Sequence, residues 1–236
     1  MIEAVIFDLD GVLLQSEEVW DAAREQLVRE RGGGWHERAQ RAMMGMSSRE
    51  WSRYMHDELR LAEPPDEINA EVVRRMSALY RDRLPLVPGA REAVERLAAR
   101  WPLGLASSSN RQLIDLALEL AGIDRLFRAT VSSEEVARGK PAPDVYVEAA
   151  RRLEVDPGRV AAIEDSHNGI RAARAAGMRV IAIPNPTFPP GAEALAEADT
   201  VLDSIAELTE EVVEPARPAP TRPGPDGAAP GPHVSV

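Results

Sequence analysis

Glu3-Ala4-Val5-Ile6-Phe7-Asp8-Leu9-Asp10-Gly11 is the stretch that decides how this chain folds. Ala4 to Phe7 form a continuous apolar run, which reads as a strand buried on both faces of a parallel sheet. Two carboxylates, two residues apart, close that run. Ionised carboxylates at the end of a buried strand must be paired, metal-bound or functional, because a bare charge in an apolar interior is costly. Leu9 is expected to point away, so Asp8 and Asp10 face the same space, and Gly11 lets the chain turn tightly. In open α/β sheets ligands bind in the crevice beyond the carboxyl ends of the strands. The reading therefore places an acidic site there.

The partners of this first strand lie far along the chain. Leu103–Ala106, Ala129–Val131, Val160–Ile163, Val180–Ile183 and Thr200–Leu202 read as strands. Helices are expected between them at Ala90–Arg100, Arg111–Ala121, Asp144–Leu153 and Gly169–Ala176, with Gly122 and Gly177 as two of the stops. The alternation predicts an α/β fold, a Rossmann-like parallel sheet with helices on both faces.

Residues 15–85 carry no strand-like run. Glu17–Arg31, His36–Met44, Ser48–Leu59 and Asp66–Arg83 read as helices, broken at Gly32-Gly33-Gly34 and Pro64-Pro65, with Ser47 or Ser48 capping the third. This block is expected to be a small α-helical cap (15–85) inserted into a core made of 1–14 and 86–213, with linkers near Leu13–Gln15 and Leu84–Pro88. From 214 to 236 the chain is rich in Pro, Gly and Ala and is expected to be a disordered tail; a short polyproline II ligand is the alternative.

The chain has 236 residues, a formal net charge of −11 and no cysteine. An acidic chain without a basic stripe argues against nucleic acid and anionic membrane as partners. The missing cysteines exclude disulfides and thiolate chemistry. No apolar stretch approaches the roughly 20 residues that span a bilayer. The N-terminus enters a strand without the basic and apolar regions of a leader, so a cytoplasmic protein is expected.

Three more segments carry candidate chemistry. Ser107-Ser108-Ser109-Asn110 follows the strand at Leu103–Ala106; its hydroxyls and free N–H groups suit a phosphate oxygen, although such clusters also simply cap helices. In Gly139-Lys140-Pro141 the lysine can neutralise charge on a transferring phosphoryl group, or be a solvated surface residue. It does not end a P-loop, because Pro141 stands where Ser or Thr is needed. Glu164-Asp165-Ser166 follows the strand at Val160–Ile163 and, with Asp8, makes a dense negative cluster that needs a cation or raised pKa values. Hard oxygen donors favour Mg²⁺ over zinc or iron. Asp165 or Ser166 also reads as a cap for the next helix.

In this order, with a helical insertion after the first, these segments resemble the haloacid dehalogenase superfamily, and within it the β-phosphoglucomutase-like phosphatases with a small helical cap. The resemblance covers residues 2–212 and rests on Asp-Leu-Asp-Gly-Val, Gly-Lys-Pro-Ala-Pro-Asp and Glu-Asp-Ser-x-x-Gly. It implies Asp8 as the nucleophile that becomes an aspartyl phosphate and also binds Mg²⁺. Asp10 becomes the general acid/base and offers its backbone carbonyl to the metal. Ser107, the backbone of Ser108 and the adjoining Asn110 hold the phosphoryl group, and Lys140 balances its charge. Asp165 is the second carboxylate on Mg²⁺, with Glu164 as ligand or outer partner. The carboxylate at Asp10 favours phosphoryl transfer over dehalogenation, since halide needs no acid.

Related sugar phosphomutases carry His at the position of Trp20, and an acidic or small polar residue at that of Gln15. Arg49 matches the position that holds their second phosphate, or is an exposed helical arginine. Trp20, Trp35 and Trp51 are expected to pack the cap, with one able to face substrate, and His167 to lie on a helix surface. The resemblance thus implies a Mg²⁺-dependent phosphatase, monomeric, acting on a small phosphorylated metabolite such as a sugar phosphate. A sugar phosphomutase and a non-catalytic phospho-ligand binding protein are the alternatives.

Overall fold

The computed structural model describes residues 1–215. The expected tail therefore lies outside the described residues except for Glu214 and Pro215. Glu214 accepts a hydrogen bond from the backbone N–H of Ile2 at 2.9 Å.

Six parallel strands form one sheet in the order β3-β2-β1-β4-β5-β6. They are β1 (Ala4–Phe7), β2 (Leu103–Ser107), β3 (Phe127–Ser132), β4 (Val160–Glu164), β5 (Arg179–Ala182) and β6 (Thr200–Val201). All four residues of β1 are buried, as its unbroken apolar run requires of a central strand. Successive side chains of β1 enter opposite layers. Val5 and Phe7 pack among the apolar residues of α5 (Ala90–Ala98) and α6 (Arg111–Ala121). Ala4 and Ile6 pack among those of α7 (Asp144–Leu153) and α8 (His167–Ala175).

The cap is α1 (Glu17–Glu30), α2 (Arg38–Met43), α3 (Ser48–Asp57) and α4 (Pro65–Asp82). Ser47 is the cap residue of α3, and the Glu50 carboxylate accepts from its backbone N–H at 2.8 Å. Pro65 opens α4, where its missing N–H costs nothing. Trp51, Met55, Val72, Met76 and Tyr80 are buried between these helices. The two linkers run side by side: Gln15 donates its N–H to the Pro85 carbonyl at 2.7 Å, and Val87 donates to Leu13 at 2.9 Å. Among the described residues no helix is long and apolar enough to cross a membrane.

Boundaries differ from the sequence reading at three places that matter. β2 extends to Ser107, whose register partner on β3 is Ser132. β4 extends to Glu164. The last helix before β5 begins at His167, because the Ser166 hydroxyl accepts the N–H of Gly169 at 3.1 Å and starts it two residues early.

Candidate active site

Most of the groups flagged in the sequence gather at the carboxyl ends of β1, β2 and β4 and in the loop between β3 and α7, around a cavity of about 550 Å³ between core and cap. Asp8, Asp10, Ser108, Ser109, Lys140 and Asp165 line it from the core. Trp20 and Trp51 line it from the cap.

Lys140 is buried and reaches two carboxylates at once: Asp8 Oδ1 at 2.6 Å and Glu164 Oε1 at 2.5 Å. Tyr146 donates its hydroxyl to Glu164 Oε1 at 2.7 Å. The other Glu164 oxygen accepts the N–H groups of Asp165 and Ser166 and the Ser166 hydroxyl, at 3.0, 3.2 and 3.1 Å. Glu164 is fully buried and its acceptor capacity is taken up by protein donors. Burial, reinforced by Glu164 and Asp10 and opposed by Lys140, pushes the Asp8 carboxyl up to about 8. Burial, with Glu164 and Asp8 adding repulsion, also pushes Asp165 well above the usual carboxylate range. For Lys140, burial alone would lower the pKa, but Asp8 and Glu164 overcome it and raise it.

Asp8, Glu164 and Asp165 each bring a carboxylate oxygen within 4.8 Å of the others. Asp165 Oδ1 is buried with no hydrogen-bond partner. A bare buried carboxylate oxygen among oxygen donors fits a hard divalent cation. With Glu164 committed to Lys140 and Tyr146, Asp8 and Asp165 are the side chains left to hold one. Gly11 makes room for this arrangement: at φ +85°, a Cβ there would lie 1.8 Å from Asp165 Oδ2.

Asp10 is fixed by three donors. The Ser16 and Trp20 side chains donate to Oδ1 at 2.5 and 3.1 Å, and the Ser109 hydroxyl donates to Oδ2 at 2.6 Å. Trp20 therefore ties a cap helix to this carboxylate.

Besides the enclosed Glu164, three expected residues lie off the cavity wall. Ser107, inside the lengthened β2, is fully buried, and its Oγ accepts the Ser109 N–H at 3.0 Å. Asn110 is buried away from the cavity, donating to Asn69 Oδ1 on α4 and to Glu134 Oε1 at 3.1 and 2.7 Å. Arg49 is exposed on the first turn of α3. Glu17, Arg24, Arg41 and His167 line the cavity as well. The first three were missed by the sequence reading, which treated their helices as ordinary amphipathic packing. Glu17, Trp20 and Arg24 fall at i, i+3 and i+7, so two charges stand on the face that the pattern assigns to packing. That was the available signal.

Residues 2–177 match the family model described as "haloacid dehalogenase-like hydrolase". The bifunctional riboflavin kinase/FMN phosphatase of Arabidopsis thaliana is 32% identical over 206 residues, 86% of this chain. The match spans 54% of that longer protein. Hexitol phosphatase B of Escherichia coli (strain K12) is 34% identical over 216 residues, 88% of this chain and 95% of that protein. The crystal structure of CbbY from Rhodobacter sphaeroides in complex with phosphate superposes with a TM-score of 0.78 at 30% identity, covering 88% of this chain and 96% of that one. The motif order, the six-stranded parallel sheet and these likenesses agree: the chain belongs to the haloacid dehalogenase-like hydrolases, as a phosphatase.

Proposed function

We propose that the protein is a Mg²⁺-dependent phosphatase that hydrolyses a small sugar-like phosphomonoester through an aspartyl phosphate on Asp8. The observation that carries this reading is the pairing of Asp8 with Lys140 at 2.6 Å beside the partnerless Asp165 Oδ1. It supports Asp8 as nucleophile beside a fixed positive charge, with Asp165 offering an oxygen to a metal. Hexitol phosphatase B and CbbY, whose likeness spans nearly all of their lengths, support a phosphorylated small molecule as substrate.

In this reading one Asp8 oxygen attacks phosphorus while Asp10 gives its proton to the departing alkoxide. Asp10 then removes a proton from the water that attacks phospho-Asp8. The donors from Ser16, Trp20 and Ser109 hold its carboxylate in place through both steps. Lys140 neutralises charge that passes between Asp8 and the phosphoryl oxygens, and Glu164 and Tyr146 hold its ammonium there. Ser108 and Ser109 face the phosphoryl group on the turn that Ser107 braces. Asp8, Asp165 and the Asp10 carbonyl would hold Mg²⁺, which when bound supplies Lewis-acid charge to the phosphoryl oxygens. One chain carries every group used, which supports a monomer as the acting unit, and a cytoplasmic location is proposed with it. Arg49 is exposed and off the cavity wall, which supports hydrolysis over the mutase alternative.

The test is phosphate release from a panel of sugar, polyol and carboxylate phosphomonoesters with Mg²⁺, run beside D8N. Release by the wild type and none by D8N is expected. Turnover by D8N near the wild-type rate would refute the nucleophile assignment.

A further inference from the structure

Arg24 is 8% exposed, yet its side chain lines the cavity from the cap side. The guanidinium lies between two indoles, 4.5 Å from the ring centroid of Trp20 and 4.8 Å from that of Trp51. Stacking of this kind fixes the plane of the fork and leaves its edge free to donate. Its Nε is buried and has no hydrogen-bond partner. Glu17, Asp10 and Asp21 act on it only through space. Burying a guanidinium and leaving a donor unpaired is costly unless a ligand completes it.

We propose that Arg24 selects the substrate, donating to the far end of the leaving group and favouring an uncharged, polyhydroxylated chain over a short or a second anionic one. This rests on the phosphatase reading above and names what the cap recognises.

Charge placement gives the preference. Glu17 faces the same cavity from the same helix, two turns before Arg24, about 10 Å along the axis. A second phosphate reaching Arg24 would enter the field of Glu17, Asp10 and Asp21, the acids that already act on that guanidinium through space. A hydroxyl both donates and accepts, so a chain with hydroxyls along its length serves Glu17 and Arg24 together. A two- or three-carbon leaving group held at Asp8 has too few hydroxyls to engage both. Removal of a short substrate's phosphate then proceeds without the Arg24 contact, and discrimination follows from the buried donor left unpaired.

The experiment measures kcat and KM of wild type, R24M and R24K with Mg²⁺ on a length ladder: glycerol 3-phosphate, erythritol 4-phosphate and sorbitol 6-phosphate. Fructose 6-phosphate and fructose 1,6-bisphosphate form a charge pair. Wild-type kcat/KM is expected to rise along the ladder and to favour the monophosphate. R24M is expected to lose roughly tenfold to a hundredfold on sorbitol 6-phosphate, with a loss that shrinks down the ladder, so the long-to-short ratio collapses. R24K keeps the charge and the stem but not the fork, and is expected to fall between. If R24M does not fold, as judged by thermal melting, R24K carries the same ratio test. A uniform loss across the ladder would show a purely structural arginine and overturn the inference. So would a wild-type preference for the bisphosphate that R24K or R24M abolishes. Wild-type inactivity on the whole ladder, with no release from any phosphomonoester tried, would instead remove the phosphatase reading and this inference with it.

Discussion

Lys140→Met removes the single ammonium from a pocket that holds Asp8 and Glu164, both buried, the latter completely. Methionine has a similar length and no charge, so the change isolates the electrostatics. Two carboxylates then face each other with Tyr146 as the remaining donor to Glu164 Oε1. Breaking a buried ion pair from one side costs about 3–5 kcal/mol. For a chain of this size each kcal/mol moves the melting temperature by about 2–4 °C, which puts the expected drop at roughly 6–20 °C. The drop depends on pH, and the sign follows from Asp8. Its carboxyl is already pushed up to about 8, mainly by burial, and loses its main counter-charge in the variant. A carboxylate with a raised folded-state pKa costs nothing in strong acid, where it is neutral folded and unfolded; the cost grows as pH rises from the ordinary carboxylate range toward the folded value and is complete above it. Wild type and variant share that cost until pH nears 8, where only the wild type ionises Asp8 beside an ammonium, so the deficit of Lys140→Met should be smaller at pH 5 and should grow as pH rises through 8. The assay is thermal melting by circular dichroism in EDTA at pH 5, 7 and 8.5, so that no cation substitutes for the ammonium. Adding Glu164→Gln should recover a good part of the stability while leaving turnover absent. A single variant that melts within about 2 °C of the wild type at pH 8.5 would refute the claim that Lys140 compensates the pair.

Trp20→Phe keeps the ring that packs on Trp51 and removes the N–H that reaches Asp10 at 3.1 Å; kcat should fall roughly threefold to tenfold with little change in melting temperature, and an unchanged kcat would sink the positioning role. Gly11→Ala puts a methyl 1.8 Å from Asp165 Oδ2 at φ +85°, so the half-saturating Mg²⁺ concentration in a turnover assay should rise at least tenfold; unchanged metal dependence would show that Asp165 is not a ligand. Glu71 is held down at about 2, chiefly by the Arg74 hydrogen bond and then by Arg75. Its contribution is present above the ordinary glutamate range and lost as pH falls toward 2, so Glu71→Gln should melt slightly below the wild type at pH 7, by at most about 1 kcal/mol for a surface pair. That gap should close near pH 2.5, and a gap that widens in acid would contradict the assignment.

The sheet was legible because burial leaves a strong trace. Ala4–Phe7 and Val160–Ile163 are apolar without interruption, and each lies where both faces of the sheet are covered. β3 was read too short because its residues alternate: Arg128 is exposed while Phe127, Ala129 and Val131 are buried. Such a pattern is typical of an edge strand and is easily truncated at its polar ends. The inserted helices were legible for the complementary reason, a long polar stretch with helical spacing and glycine or proline breaks. How the cap folds back over the core was not. That depends on long-range contacts such as Asn110 to Asn69, 41 residues apart, which no local period records.

The site divides along the same line, and Glu164-Asp165 shows why. By residue type alone both acids could take a cation, and only the family resemblance puts Asp165 first. In the fold they separate by one position in a strand. Glu164 is the last residue of β4, and its side chain turns inward to Lys140 and Tyr146, into space that exists because residue 169 is glycine; a Cβ there would lie 1.8 Å from Glu164 Oε1. Asp165 lies beyond the strand and keeps an oxygen with no protein donor. Ser107 and Ser109 part in the same way: β2 claims Ser107, and Ser109 reaches Asp10. Residue type tells what chemistry is present, and strand length decides which neighbour performs it. A one-residue error in where β4 ends is enough to exchange an unpartnered carboxylate oxygen for one that orients a lysine.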